Sequence, residues 1–268
     1  MRCLVREPRR LGPERVRVQI ALGDLADPSS FRNAMRGIDT VVHLAASIRD
    51  QQRASIEELN GVATHRLLRA AEREGAKRFI FFSAMGASLH SRSRFLRAKA
   101  IAEEAVDTSE LEAAVVAPSL VYAPGDPWLT LLQRLSWLPA MPVPGGGEAA
   151  YQPIWAGDVA DCTLKLVEEA DRPGHRRYEL AGPETLTHDQ IVATALRSFG
   201  RRRRLAHLPL AAIRPGLGAI ERLAKGSAFA TYDEAELLEV PMTSERGPAG
   251  AEELGVRPRR MREVLPPA

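Results

Sequence analysis

Residues 40–83 read TVVHLAASIRDQQRASIEELNGVATHRLLRAAEREGAKRFIFFS. Two short apolar runs, 40–44 and 78–83, bracket a stretch in which Leu59, Val62, Leu67, Leu68 and Ala71 recur at helical spacing. The runs are continuous rather than alternating, so both faces of each strand must be covered. A strand, a helix and a second such strand make a parallel crossover unit.

The same alternation extends outward. Cys3-Leu4-Val5 is a short apolar run, and Val16, Val18, Ile20 and Leu22 alternate as a strand does. Asp27 and Pro28 suit the cap and first position of a helix. A helix over 93–106 and a strand over 113–117 follow. Residues 1–125 are therefore expected to form a doubly wound parallel sheet of the α/β class. Past Gly125 the texture changes, and Pro139, Pro142, Pro144 and the triple glycine 145–147 predict a loop. Patterns for helix 157–169, strand 177–181, helix 187–198, strand 203–207 and helix 210–224 come next, then helical fragments broken by proline and glycine. Residues 126–268 are read as a smaller mixed α/β lobe that carries the substrate.

Composition narrows the class. Hydrophobic residues make up 45% and charged residues 26%, which excludes wholesale disorder and a fibre. Of 37 basic residues only Lys77, Lys99, Lys165 and Lys225 are lysines, so the arginine excess is general. The dense run 201–204 reads as a solvated strand or turn. A nucleic-acid site there lacks interleaved aromatics, and a peripheral membrane role rests on the apolar stretch that follows it. Cys3 and Cys162 have no metal-ligand company, and the six histidines show no metal spacing. His43, inside an apolar strand, reads as a satisfied core residue. No window approaches 18 uninterrupted apolar residues and the N-terminus has no apolar signal core, so a soluble cytoplasmic protein is expected.

Four islands carry a resemblance: Leu4-Val5-Arg6, Gly23-Asp24-Leu25-Ala26-Asp27, Val42-His43-Leu44-Ala45-Ala46, and the 118–126 stretch PSLVYAPGD. Their order and spacing resemble the extended and atypical short-chain dehydrogenase/reductases. The nearest look is to the group related to the nucleotide-binding accessory subunit of respiratory complex I and to nitrogen-regulator-like sensors. The resemblance implies a Rossmann sheet holding NADP, or NAD, along the carboxyl ends of its strands. It places Arg6 at the adenosine 2′-phosphate, Asp24 and Leu25 beside the adenine, and Ala45 and Ala46 under the cofactor's middle. Pro118 and Val121 fall beside the nicotinamide. The bland readings stay open: a surface arginine, a strand-terminating Asp24, packing alanines.

Chemistry in that family uses Ser, Tyr and Lys. Ser83 ends the matching strand, Lys99 lies in the matching helix and also suits the nicotinamide ribose, but the residue four before it is Phe95. A phenyl ring has no proton to give. Loss of a positioned acid–base group costs roughly 10²–10⁴-fold. Tyr122 stands beside the nicotinamide segment, either as a substitute phenol or as a pocket wall. The resemblance thus implies a hydride-transfer oxidoreductase on an unidentified small substrate or a non-catalytic dinucleotide-binding sensor or accessory subunit. The latter would have a protein partner or self-associate.

The family's glycine-rich turn between a first strand and its helix is missing, and the chain opens at what resembles the second strand. The expectation is a start about 30 residues upstream, with Met1 in place of an apolar strand residue such as Val. The alternative is a fragment that needs a partner strand. Either way the second and fourth family strands lack their shared neighbour, and cofactor binding by these residues is expected to be impaired.

Overall fold

The structure is a computed structural model describing residues 1–51, 54–168, 175–212 and 231–268, with 32 and 33 as backbone only. Its strands in the first half are β1 (Arg2–Val5), β2 (Gln19–Leu22), β3 (Thr40–His43), β4 (Arg78–Phe82), β5 (Glu112–Pro118) and β6 (Val121–Tyr122). The second half adds β7 (Ala140–Pro144), β8 (Ala150–Tyr151), β9 (Ile154–Trp155), β10 (Arg176–Leu180), β11 (Leu186–Thr187) and β12 (Arg204–Leu208). The longer helices are α2 (Ala63–Arg73), α3 (Arg94–Asp107), α4 (Pro127–Leu135), α5 (Ala156–Glu168) and α6 (His188–Ser198), with a short α1 at Pro28–Phe31.

Residue alternation along β4 decides the layers. Phe79 and Phe81 point to one face, where Leu67, Leu68 and Ala71 of α2 and Ala102 and Val106 of α3 cover them. Ile80 points to the other face, against Val159, Cys162 and Leu166 of α5. Burying each such large side chain is worth roughly 1.5–3 kcal/mol. Both faces are covered, as the continuous apolar runs require. The sheet has the parallel order β10-β5-β4-β3, so the second half returns one strand to the core. The helix Ala249–Glu252 lies so close to β10 that a Cβ on Gly250 would stand 2.2 Å from the Glu179 carbonyl oxygen.

β1 and β2 pair in parallel as a separate ribbon. No described strand bonds to the outer edge of β3 or joins the ribbon to the sheet. The ribbon is held by packing, through Leu4 and Leu25, and by the Arg2 guanidinium, which donates to the carbonyls of Ala34 and Arg36 at 2.9 and 2.8 Å.

Three local expectations change. The strand expected from Val16 begins at Gln19, because Pro8–Arg17 forms short 3₁₀ turns meeting at Gly12, whose φ is 57°. The helix expected over 59–71 opens with a π turn, Glu58–Val62. The loop expected at 139–147 contains β7, paired in parallel with β12. Its prolines fit because the Gly145 amide donates toward β12, at Leu208 O. Pro142 and Pro144 therefore face the unpaired edge, where no amide is needed. The expected helix 210–224 lies beyond residue 212 outside the described residues.

Candidate functional site

The register aligns Val42, Ile80 and Ala114, so β3 and β4 end within one residue of each other while β5 runs on to Pro118. Beyond these ends Ser83 N donates to Val116 O at 2.7 Å and Met85 N to Pro118 O at 3.0 Å. The carboxyl ends thus form one edge carrying Ala45 and Ala46, Ser83 and Pro118. Leu44, Ala45 and Ala46 are exposed there, a ledge of mostly small side chains.

A residue that the sequence reading missed holds that ledge. Asn60 is fully buried; its amide accepts from Ser47 N at 3.2 Å and donates to Ser47 O at 2.7 Å and Ile56 O at 2.8 Å. Below it Thr64 donates to Asn60 O at 2.7 Å, and His43 Nε2 lies 3.0 Å from the Thr64 hydroxyl. Burial, then the Lys99 charge, pushes the His43 imidazole down to about 3. His43 is a neutral core residue stacked on Phe81, as its apolar setting implied.

Ser83 is 6% exposed and its Oγ has no hydrogen-bond partner. Lys99 is 2% exposed, and its Nζ donates to the Phe82 carbonyl at 2.6 Å. The ammonium stands 4.8 Å from the Phe81 ring centre and 5.6 Å from that of Phe95. Burial brings its pKa down to about 8, against the pull of Glu103. Ser83, Phe95 and Lys99 thus gather at the end of β4, with two phenyl rings where the lysine would meet a phenol. Tyr122 is 1% exposed, its hydroxyl has no partner, and no hydrogen bond joins it to Ser83 or Lys99. Burial, with Asp158, Glu184 and Glu263, raises its pKa well above the ordinary phenol value. Val121, its neighbour in β6, is 39% exposed.

At the ribbon end, Arg6 is exposed and has no ion pair among the described residues. Asp24 Oδ1 accepts from Ala26 N at 3.0 Å, and its amide donates to Ser30 Oγ at 2.8 Å, so it closes the turn after β2. Leu25 packs on the core beside Phe31.

A charged clamp, also missed, crosses the site's rim. Arg94, at the start of α3, donates to both oxygens of Glu57 at 2.8 Å and to both oxygens of Asp50 at 3.0 and 3.1 Å. It also pairs with Asp233 at 3.4 Å, and Arg49 pairs with Glu234 in the helix Tyr232–Leu237. Arg94 holds the Glu57 carboxyl down at about 2.

These residues fit the two ends of a nicotinamide dinucleotide. The orphaned Ser83 hydroxyl calls for a polar partner, the alanine ledge admits a close approach, and Arg6 is free for a phosphate. No glycine-rich turn leading into a helix N-terminus lies beside them among the described residues.

Residues 1–131 match the family described as NAD(P)H-binding. The chain is 32% identical over 174 residues to the mitochondrial NADH dehydrogenase (ubiquinone) 1 alpha subcomplex subunit 9 of Arabidopsis thaliana, covering 63% of this chain and 42% of that one. It is 28% identical over 195 residues to the ceramide reductase of Caulobacter vibrioides, covering 72% and 60%. The triphenylmethane reductase of Citrobacter sp. superposes with a TM-score of 0.74 at 16% identity, over 98% of this chain and 88% of that one, a likeness of fold. The chain spans between 42% and 62% of the length of the curated relatives it matches first.

Proposed function

From the match of residues 1–131 to the NAD(P)H-binding family and the likeness to the A. thaliana subunit, we propose that the chain is an atypical short-chain dehydrogenase/reductase that binds a nicotinamide dinucleotide, preferably NADP(H), as a redox sensor or accessory subunit. Tyrosine-dependent carbonyl reduction is not its task. One observation carries this reading: the Lys99 ammonium is turned onto the Phe82 carbonyl, between Phe81 and Phe95, and among the described residues no phenol is hydrogen-bonded to Ser83. The named role of the A. thaliana relative, a subunit of a larger dehydrogenase, supports it.

In this assignment Arg6 pairs with the 2′-phosphate, and Asp24 and Leu25 flank the adenine. Ala45 and Ala46 give the backbone room. Pro118 and Val121 bound the nicotinamide, whose chemistry when bound is hydride exchange. Lys99 reaches the ribose only by releasing Phe82 O. No described element cradles the pyrophosphate.

A second reading keeps hydride transfer to a small substrate. The unpartnered Ser83 hydroxyl favours it, as a donor set where a substrate oxygen would lie, and the C. vibrioides relative is named a reductase. Calorimetric titration with NADPH and NADH, followed by NADPH oxidation assays with ketones, aldehydes and quinones, separates the two. Binding without turnover supports the sensor or subunit reading. Turnover at an ordinary rate overturns it.

A further inference from the structure

At the carboxyl end of α4, the turn into β7 carries an apolar tip. Trp137 is 75% exposed and Leu138 45%, with Pro139 exposed beside them. Arginines build this tip. Arg201 donates to Ser136 O at 3.2 Å, and Arg203 Nε donates to Ser136 O at 2.9 Å and Leu138 O at 3.0 Å. They thereby satisfy the last carbonyls at the negative end of the helix. The Arg201 guanidinium lies 3.4 Å from the Trp137 ring centre and holds the indole outward. Register pairs Arg204 with Ala140, so Arg204 also stands beside the tip.

Two features make this surface more than a cap. Arg134, Arg202 and Arg204 are exposed and join no ion pair among the described residues. A cleft of about 230 Å³ opens beside the indole, lined by Thr130, Gln133, Arg134, Trp137, Phe199 and Arg201, and no carboxylate lines it. An outward tryptophan and leucine within a ring of unneutralised guanidinium groups match the acyl boundary and the anionic headgroups of a bilayer at one place. A nucleic acid fits less well: Arg201 covers a face of the one exposed indole, leaving no stacking platform for successive bases.

We propose that this face docks the protein peripherally on an anionic membrane surface, with Trp137 and Leu138 entering the interface and the arginines on lipid phosphate and carboxylate groups. The proposal is independent of the dinucleotide reading, because no residue of that site takes part.

Co-sedimentation with phosphatidylcholine vesicles, with and without phosphatidylserine, tests it. Binding is expected only with phosphatidylserine and should weaken as salt rises. Each arginine at such a surface is worth about fivefold in partitioning, so Arg202→Glu with Arg204→Glu should cost more than about 25-fold. Trp137→Ser should cost roughly tenfold through lost apolar burial. Both variants alter exposed side chains, and unchanged thermal melts verify that they fold. No binding to either vesicle, equal binding to both, or binding that survives both variants overturns the proposal. Retention on a DNA oligonucleotide through the same arginines, without vesicle binding, overturns it as well.

Discussion

One absent oxygen separates Phe95 from a phenol, and its neighbours adapt to that absence. The Lys99 ammonium, with no phenol to polarise, lies on the Phe82 carbonyl between two rings. Phe95→Tyr is therefore expected to create or raise NADPH-dependent carbonyl reduction in a form that binds the dinucleotide, by about 10²-fold or more, and Lys99→Ala should remove the gain. Steady-state rates on generic carbonyl substrates check this; ordinary turnover before mutation would mean that Phe95 is no lesion. Lys99 also marks stability. Its pKa of about 8 lies below the ordinary lysine value, so the folded state loses this proton before the unfolded one does. Between pH 8 and 10.5 the unfolded chain binds more protons, and stability rises with pH. Relative to Lys99→Met, the wild type should gain about 3 kcal/mol across that window, as denaturant melts at stepped pH would record. A flat difference would mean the ammonium is better solvated than its burial indicates.

At the scale of elements, legibility tracked sequence distance. The strands over 40–44 and 78–83 could be read because double burial leaves a continuous apolar run. β7 could not: its prolines look like a loop until their unpaired edge is known. The resemblance singled out Ser83, Phe95 and Lys99, and the structure gathers them because they lie at the end of one strand and on the next helix. The Arg94 clamp was not, since its partners Glu57, Asp50 and Asp233 are 37, 44 and 139 residues away and exposed charges carry no periodicity. Nor does any pattern mark Asn60, one polar side chain inside a helical stretch. A cation at the start of α3 opposes the helix dipole, so the carboxylates also neutralise an unfavourable end. Arg94→Ala should loosen the segment between β3 and α2 without unfolding the sheet, and limited proteolysis should then cut within 45–57 several-fold faster than in the wild type. An unchanged cleavage rate would assign the restraint to Asn60 and the Arg49–Glu234 pair instead. Glu57, held at about 2, contributes above its unfolded value and stops contributing as the pH falls through its folded one. Acid should therefore mimic the arginine deletion.

Across the whole molecule, the parallel sheet and its helical cover were legible, and among the described residues no strand pairs with the outer edge of β3. Open edges of that kind pair with other chains. Light scattering is expected to show association rising with concentration. A monodisperse sample melting sharply above about 60 °C, high for a mesophilic domain, would count against this. The separateness of the β1–β2 ribbon also has a thermodynamic reading. A unit that shares no ladder hydrogen bond with its neighbour need not open with it. Amides of Arg2–Val5 and Gln19–Leu22 should exchange with deuterium through a partial opening far cheaper than the global one, while those of Arg78–Phe82 and Glu112–Pro118 wait for the whole domain to unfold. The protein would then melt as two cooperative blocks of unequal free energy, with the residues proposed for the adenosine in the weaker one, so that on that proposal cofactor capture draws on the same reserve that orders the ribbon.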